Sequence, residues 1–101
     1  MFDMKHLGRL KNLAKYTPEA TKAFGAFEKA VFAEGTLTVQ QKQLIAVAVA
    51  LTTQCPYCIE IHNKAARTAG ATDAQLAEVA VVATIMRAGA AQTHASHLFA
   101  D

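Results

Sequence analysis

Cys55-Pro56-Tyr57-Cys58-Ile59-Glu60-Ile61-His62 holds both cysteines of the chain and one of its four histidines within two helical turns. Pro56 has a fixed φ and no amide hydrogen, so it is excluded from a helix interior but suited to the first helical position. The stretch therefore predicts a helix that starts at Pro56 with Cys55 as its cap. Cys58 and His62 are four residues apart and share a face, and Cys55 joins the same stripe. At the cap, Cys55 lies beside the positive end of the macrodipole, where a thiolate is favoured over a thiol. One sulfur poised to attack, a second three residues on to resolve a mixed disulfide, and an imidazole one turn away to move protons make a redox geometry.

Upstream, Thr38 and Gln41 have capping-box spacing and open a helix through Leu44-Ile45-Ala46-Val47-Ala48-Val49-Ala50-Leu51. It is apolar on every side, which predicts a helix buried all round. Its β-branched members suit a strand, but the cap, the interleaved alanines and the lack of a partner strand favour helix. It is expected to end near Thr52-Thr53-Gln54, with almost no loop before Cys55. Downstream, Ala69-Gly70 closes the cysteine helix, and Thr72 with Gln75 repeats the capping-box spacing. The helix so opened directs Leu76, Val79, Ala80, Val82 and Ala83 inward, Gly89 is a point of kinking or interruption, and residues 90–99 continue as helix carrying His94 and His97.

Toward the N-terminus, Met4, Leu7, Leu10, Leu13 and Ala14 give a helical period from about Asp3 to Lys15. Thr17-Pro18-Glu19 then reads as a start signal, with Thr17 as cap and Glu19 complementing the dipole. This second helix is expected to reach about Glu34, with Phe24, Phe27, Val31 and Phe32 as its apolar face and Gly35 as its stop. No stretch reads as a strand or as an internal repeat. The expected class is all-α, about five to six helices in a single domain over residues 1–101.

The 101 residues are 52% apolar without any tryptophan, and much of that fraction is alanine, which buries little area per residue. A lone chain would have difficulty covering its apolar faces, so a homo-oligomer is expected. A net charge of +2, dispersed along the chain, argues against a nucleic-acid partner, and Lys5, Arg9, Lys11 and Lys15 read as a solvated helix face. Met1-Phe2-Asp3-Met4-Lys5-His6 has no apolar core of a secretory signal, and the longest apolar run, Leu44 to Leu51, is too short to span a bilayer. The expectation is a cytoplasmic protein with no membrane partner. In that compartment a Cys-x-x-Cys pair is catalytic or metal-binding more often than a structural staple.

Two plainer readings compete. Cys55 and Cys58 could be small buried hydrophobes. They could also join His62 on zinc, with His94 or His97 as a fourth ligand, although structural zinc sites usually draw two short ligand pairs from separate segments. His6, His94 and His97 read as surface residues, and Tyr57 as either a packed aromatic or a hydroxyl presented to the site. The first attacker is left open: helix position favours Cys55, adjacency to His62 favours Cys58.

The order of these features, from Thr38-Val39-Gln40-Gln41-Lys42-Gln43-Leu44 through Cys55-Pro56-Tyr57-Cys58 to His62, resembles the carboxymuconolactone decarboxylase-like family, in particular its AhpD-like alkylhydroperoxidase branch. The likeness runs from about Leu37 to Ala91. The family pattern is a Glu, eleven residues, Cys-x-x-Cys, three residues and a His; Cys55, Cys58 and His62 occupy the last three positions and Gln43 occupies the Glu position. The resemblance implies an all-α trimer or trimer of dimers with no bound cofactor or metal. It implies a Cys55–Cys58 pair that cycles between dithiol and disulfide while reducing a hydroperoxide or a partner's disulfide. An external lipoyl-type thiol would supply electrons, a peroxiredoxin or lipoyl protein would be the partner, and His62 would carry protons. Gln43 cannot take a proton at neutral pH, and Tyr57 stands where some relatives have a His, so two proton carriers are missing. Glu60 points to nearly the opposite side of the helix; Glu28 and Glu34 are the remaining candidates to replace the missing carboxylate. The family name also implies lactone decarboxylation with His62 as acid-base group, and a non-catalytic, zinc-binding assembly module is the third reading.

Overall fold

In the computed structural model, which describes residues 2–101, every regular element among the described residues is helical. The chain divides into two compact units, Met1–Val39 and Gln40–Asp101. In the first, a 3-10 stretch over Met4–Arg9 leads into α1 (Leu10–Tyr16), followed by α2 (Pro18–Phe32). The single helix expected from Asp3 to Lys15 is thus split. Its first turns wind tightly behind Asp3, whose carboxylate accepts from the Lys5 amide at 2.9 Å, and glycine at position 8 contributes little to an α-helical continuation.

Thr17 precedes α2 as expected, but it does not cap it. Its hydroxyl instead donates backward to the Leu13 carbonyl at 2.7 Å, closing α1, and lies 3.3 Å from the Thr21 hydroxyl. Helix α2 stops at Phe32, where Ala33 turns extended, two residues short of Glu34. α1 and α2 pack together, yet no residue of either helix is buried, and Phe24 and Phe27 are each 67% exposed. Lys5, Arg9, Lys11 and Lys15 are exposed, and His6 is half-buried.

The second unit carries all but the first residue of α3 (Val39–Thr53), with α4 (Pro56–Thr68), α5 (Asp73–His94) and a 3-10 turn at Ala95–Leu98. Its core is Val47, Ala66 and Ala71, surrounded by Leu44, Leu51, Leu76 and Val79. Helix α3 is not buried all round. Gln43, Val47 and Ala50 form its buried stripe, while Ile45 and Val49 are about half exposed, at 51% and 54%, because α4 and α5 cover one side only. On α5, Ala83 is buried and Leu76, Val79 and Ala80 are half-buried, but Val82, expected inward, is exposed together with Val81, Ile85 and Met86. Helix α5 runs unbroken through Gly89; glycine costs about 1 kcal/mol in a helix but keeps its amide hydrogen bond.

With its terminal turn, Asp73–Leu98 is long and apolar enough, by length and composition, to cross a membrane, with a mean hydropathy of 1.3. The uninterrupted run from Leu44 to Leu51 was too short for this; α5 reaches the threshold by an alanine-rich average that includes Glu78 and Arg87. Only 6% of that window is buried in the chain, which leaves most of its apolar side chains exposed.

The α4–α5 turn follows the predicted chemistry closely. Gly70 has φ 96°, and the amides of Gly70 and Ala71 donate to the carbonyls of Arg67 and Ala66 at 2.9 Å each, a Schellman closure. Thr72 and Gln75 form a reciprocal capping box. The side chain of Gln40 ties this turn to the start of α3, donating to Ala69 O at 3.0 Å and accepting from Gln75 Nε2 at 3.2 Å. Arg67 and Asp73 pair across the same turn at 2.7 Å, with the Asp73 side chain 88% exposed, which makes the pair a minor contributor. Replacing Gly70 by Ala forces a Cβ into a left-handed conformation and within 3.2 Å of Gln40 Nε2. Gly70→Ala is therefore expected to lower unfolding free energy by about 1–2 kcal/mol, measured by urea denaturation.

Candidate active site

The cysteine pair is positioned by the way α3 ends. Gln54, the last residue before Cys55, has φ 57°, the left-handed position usually filled by glycine, and the Cys55 amide reaches back to Ala50 O at 3.1 Å. Holding a side-chain-bearing residue there costs about 1 kcal/mol. The chain then turns extended at Cys55 (φ −99°, ψ 99°) and enters α4 at Pro56, as expected from the sequence.

Cys55 caps α4 through its sulfur, with Sγ accepting from the Cys58 amide at 3.3 Å. Sulfur is a weak acceptor as a thiol and a stronger one as a thiolate, so this position favours ionisation. The Cys55 thiol is held below its ordinary pKa, first by a hydrogen bond from the Cys58 thiol and then by the Cys58 amide; burial opposes this, and the Tyr57 amide adds the least. The same contact pushes Cys58 up: its thiol donates to Cys55, and burial and the charge on Cys55 act in the same direction. Both thiols are free and half-buried. Chemically, this is one sulfur prepared to attack and a neighbouring one that keeps its proton until needed.

His62 lies one turn beyond Cys58 on α4, and its Nδ1 is 2.7 Å from Gln43 Oε1 across the α3–α4 seam. An amide oxygen can only accept, so Nδ1 carries the hydrogen, and in the neutral ring Nε2 is the basic nitrogen. Gln43 is the buried polar residue of the unit, 9% exposed, and this bond satisfies its carbonyl. The structure thus brings together Gln43 and His62 in one contact and Cys55 and Cys58 in another, with the half-buried Tyr57 between the cysteines.

Glu60 is exposed, Glu28 and Glu34 belong to the N-terminal unit, and His94 and His97 are exposed and stack on each other with ring centroids 6.0 Å apart. Among the described residues, no group of three or more His, Cys, Asp or Glu side chains is placed to hold a metal ion. Arg87 escaped the sequence reading. It donates from Nη1 to the Thr52 carbonyl at 2.9 Å, thirty-five residues away in sequence, close to the entry into the cysteine turn. No local pattern marks such a contact.

Comparison with known proteins adds to this geometry. The model of the carboxymuconolactone decarboxylase family matches residues 18–101. The chain is 58% identical over 78 residues to uncharacterized protein 4 of the cox locus of Paracoccus denitrificans, covering 77% of this chain and 70% of that protein. It is 36% identical over 88 residues to an uncharacterized protein of Cupriavidus necator, covering 87% and 78%. Among solved structures, a protein from Methanobacterium thermoautotrophicum superposes with a TM-score of 0.82 at 40% identity, over 87% of this chain and 99% of that one. A carboxymuconolactone decarboxylase family protein from Legionella pneumophila, solved in its apo form, gives 0.76 at 32% identity, over 81% and 73%.

The asymmetry of the two thiols has a measurable consequence. Because Cys55 ionises first, its alkylation by iodoacetamide should rise at lower pH than that of Cys58. Cys58→Ala removes the foremost cause of the depression, so the Cys55 thiolate fraction at neutral pH should fall and the midpoint of its pH–rate curve should move upward. Peptide mass spectrometry after timed alkylation reads both curves, and a midpoint indifferent to Cys58 would refute this account of the pair.

Proposed function

The chain belongs to the carboxymuconolactone decarboxylase family, and within that family we propose that it is a thiol-dependent oxidoreductase that reduces hydroperoxides or partner disulfides through Cys55 and Cys58. The observation that carries this reading is the sulfur of Cys55 held as a helix cap by the amide of Cys58, beside a second thiol that keeps its proton.

With a hydroperoxide, the Cys55 thiolate attacks the outer oxygen; the S–O bond forms as the O–O bond breaks. The alkoxide leaves as an alcohol after taking back, from Nε2 of His62, the proton that the Cys55 thiol gave up on ionising. Cys58 then attacks the sulfenic sulfur, forming the Cys55–Cys58 disulfide, and the hydroxyl leaves as water with the proton from Cys58. With a partner disulfide, Cys55 forms a mixed disulfide and expels one thiolate; Cys58 attacks Cys55 and expels the second. Either route delivers two electrons, which an external lipoyl-type dithiol restores. A peroxiredoxin or a lipoyl-bearing protein suits the two roles of partner. Gln43 orients His62 but cannot relay its proton, so the exchange reaction, which asks less of a proton path, is favoured over peroxide reduction.

In this reading other copies of the chain cover the exposed apolar side chains Ile45 and Val49 on α3 and Val81, Ile85 and Met86 on α5, in a trimer or trimer of dimers in the cytoplasm. That arrangement also accounts for the apolar average of α5 without a bilayer.

Mild peroxide should lower the mass of the reduced protein by two hydrogens, with Cys55 and Cys58 joined in one peptide pair. A lipoyl-type dithiol should reverse this, and an unchanged mass with both thiols still alkylatable would sink the proposal. Lactone turnover that survived in a Cys55→Ser/Cys58→Ser double variant would instead assign decarboxylase chemistry. Gln43→Glu places a carboxylate 2.7 Å from His62 Nδ1 and is expected to raise peroxide turnover by about tenfold or more, the lower range of acid-base contributions, with a smaller change in disulfide exchange. Paired rate measurements on the same preparation test that difference.

A further inference from the structure

A cavity of about 370 Å³ opens between the last turn of α3 and the middle of α5. Leu51, Ala80 and Ala83 provide its apolar wall, and Gln54, Thr84 and Arg87 its polar part. Its volume falls within the range of small-molecule sites. Gln54, in its lining, is joined to Cys55 by a single peptide bond, so the cavity and the cysteine turn are neighbours along the chain. No acidic side chain lines it.

The charge there comes from Arg87. Its Nη1 donates to Thr52 O at 2.9 Å, which locates the guanidinium at the C-terminal end of α3; among the described residues its other nitrogens have no protein partner. The exposed carbonyls of a helix end amount to roughly half a negative charge, less than the full positive charge of the guanidinium, so a net positive field remains. A guanidinium fork matches a carboxylate in shape as well as in charge.

From this juxtaposition we infer that the cavity is a substrate subsite for an apolar chain ending in a carboxylate, bound at Arg87 so that its disulfide or hydroperoxide end meets Cys55. The inference rests on the oxidoreductase reading above, which it deepens by naming the substrate class. Arg87 acts as a binding residue; the covalent steps are those already written for Cys55 and Cys58.

The test compares alkylation of Cys55 by iodoacetate, an anion, with alkylation by iodoacetamide, its neutral counterpart. Both reagents consume the same thiolate, so the ratio of their rates is independent of the pKa of Cys55. Peptide mass spectrometry assigns the label to Cys55. Arg87→Gln, which keeps a donor for Thr52 O, should lower the iodoacetate-to-iodoacetamide ratio by about threefold, the effect of one cation at short range in a wet site. Arg87→Lys should retain most of the wild-type ratio, and added salt should lower the ratio in the wild type but not in Arg87→Gln. A ratio that is the same in the wild type and Arg87→Gln overturns the subsite. With substrates, a carboxylate-ended disulfide should lose more kcat/KM in Arg87→Gln than its amide-ended analogue. Failure of the wild type to turn over either disulfide would count against the oxidoreductase reading, while the alkylation ratio would still decide the subsite.

Discussion

Ala66 has no accessible surface, and a side chain no larger than its methyl is what lets α4 lie close against Val47 on α3. The site depends on that closeness. Gln43 sits one turn before Val47, and His62 one turn before Ala66, so both belong to the stripes that form the apolar seam. Gln43 is buried there and needs a partner, because an unpartnered buried amide costs about 1–3 kcal/mol. Its 2.7 Å hydrogen bond to His62 is therefore both a condition of packing and the device that settles which imidazole nitrogen is basic.

The acid-base behaviour of the sulfur pair has a different origin. It comes from neighbours within three residues along the chain: a backbone turn that aims amides at Cys55, and a second thiol that donates to the first. Such an arrangement survives changes elsewhere in the fold. In the proposed mechanism proton delivery does not, because it passes through His62, whose orientation is set from another helix. The sulfur pair and the imidazole thus answer to separate constraints, one local and one tertiary, and an amide at position 43 alters the second while leaving the first intact.

Much of the apolar surface is not used within one chain. Small alanines bring helices together without filling large volumes, so the unit Gln40–Asp101 buries Val47, Ala50, Ala66, Ala71 and Ala83 but leaves bulkier side chains on α3 and α5 outside. The same imbalance explains why α3, apolar on all sides in sequence, has only one buried stripe. Hydrophobicity states that a face should be covered; it does not state by what.

Features encoded over five residues or fewer were legible from the sequence. Cys55 as cap and Pro56 as first residue of α4, the Gly70 turn and the Thr72–Gln75 capping box each depend on backbone geometry and one nearby side chain, so the local sequence suffices to determine them. Thr17 marks the limit even there, since one hydroxyl had a carbonyl behind it as well as amides ahead, and it bonded the carbonyl. The contacts between Gln43 and His62, Gln40 and Gln75, and Arg87 and Thr52 span nineteen to thirty-five residues. Resemblance placed Gln43 in the site, but periodicity and capping did not, and nothing marked the other two. Which side chains meet across a seam depends on how closely and at what angle two helices pack, and that is decided by the summed shapes of both surfaces, not by any one stretch of chain.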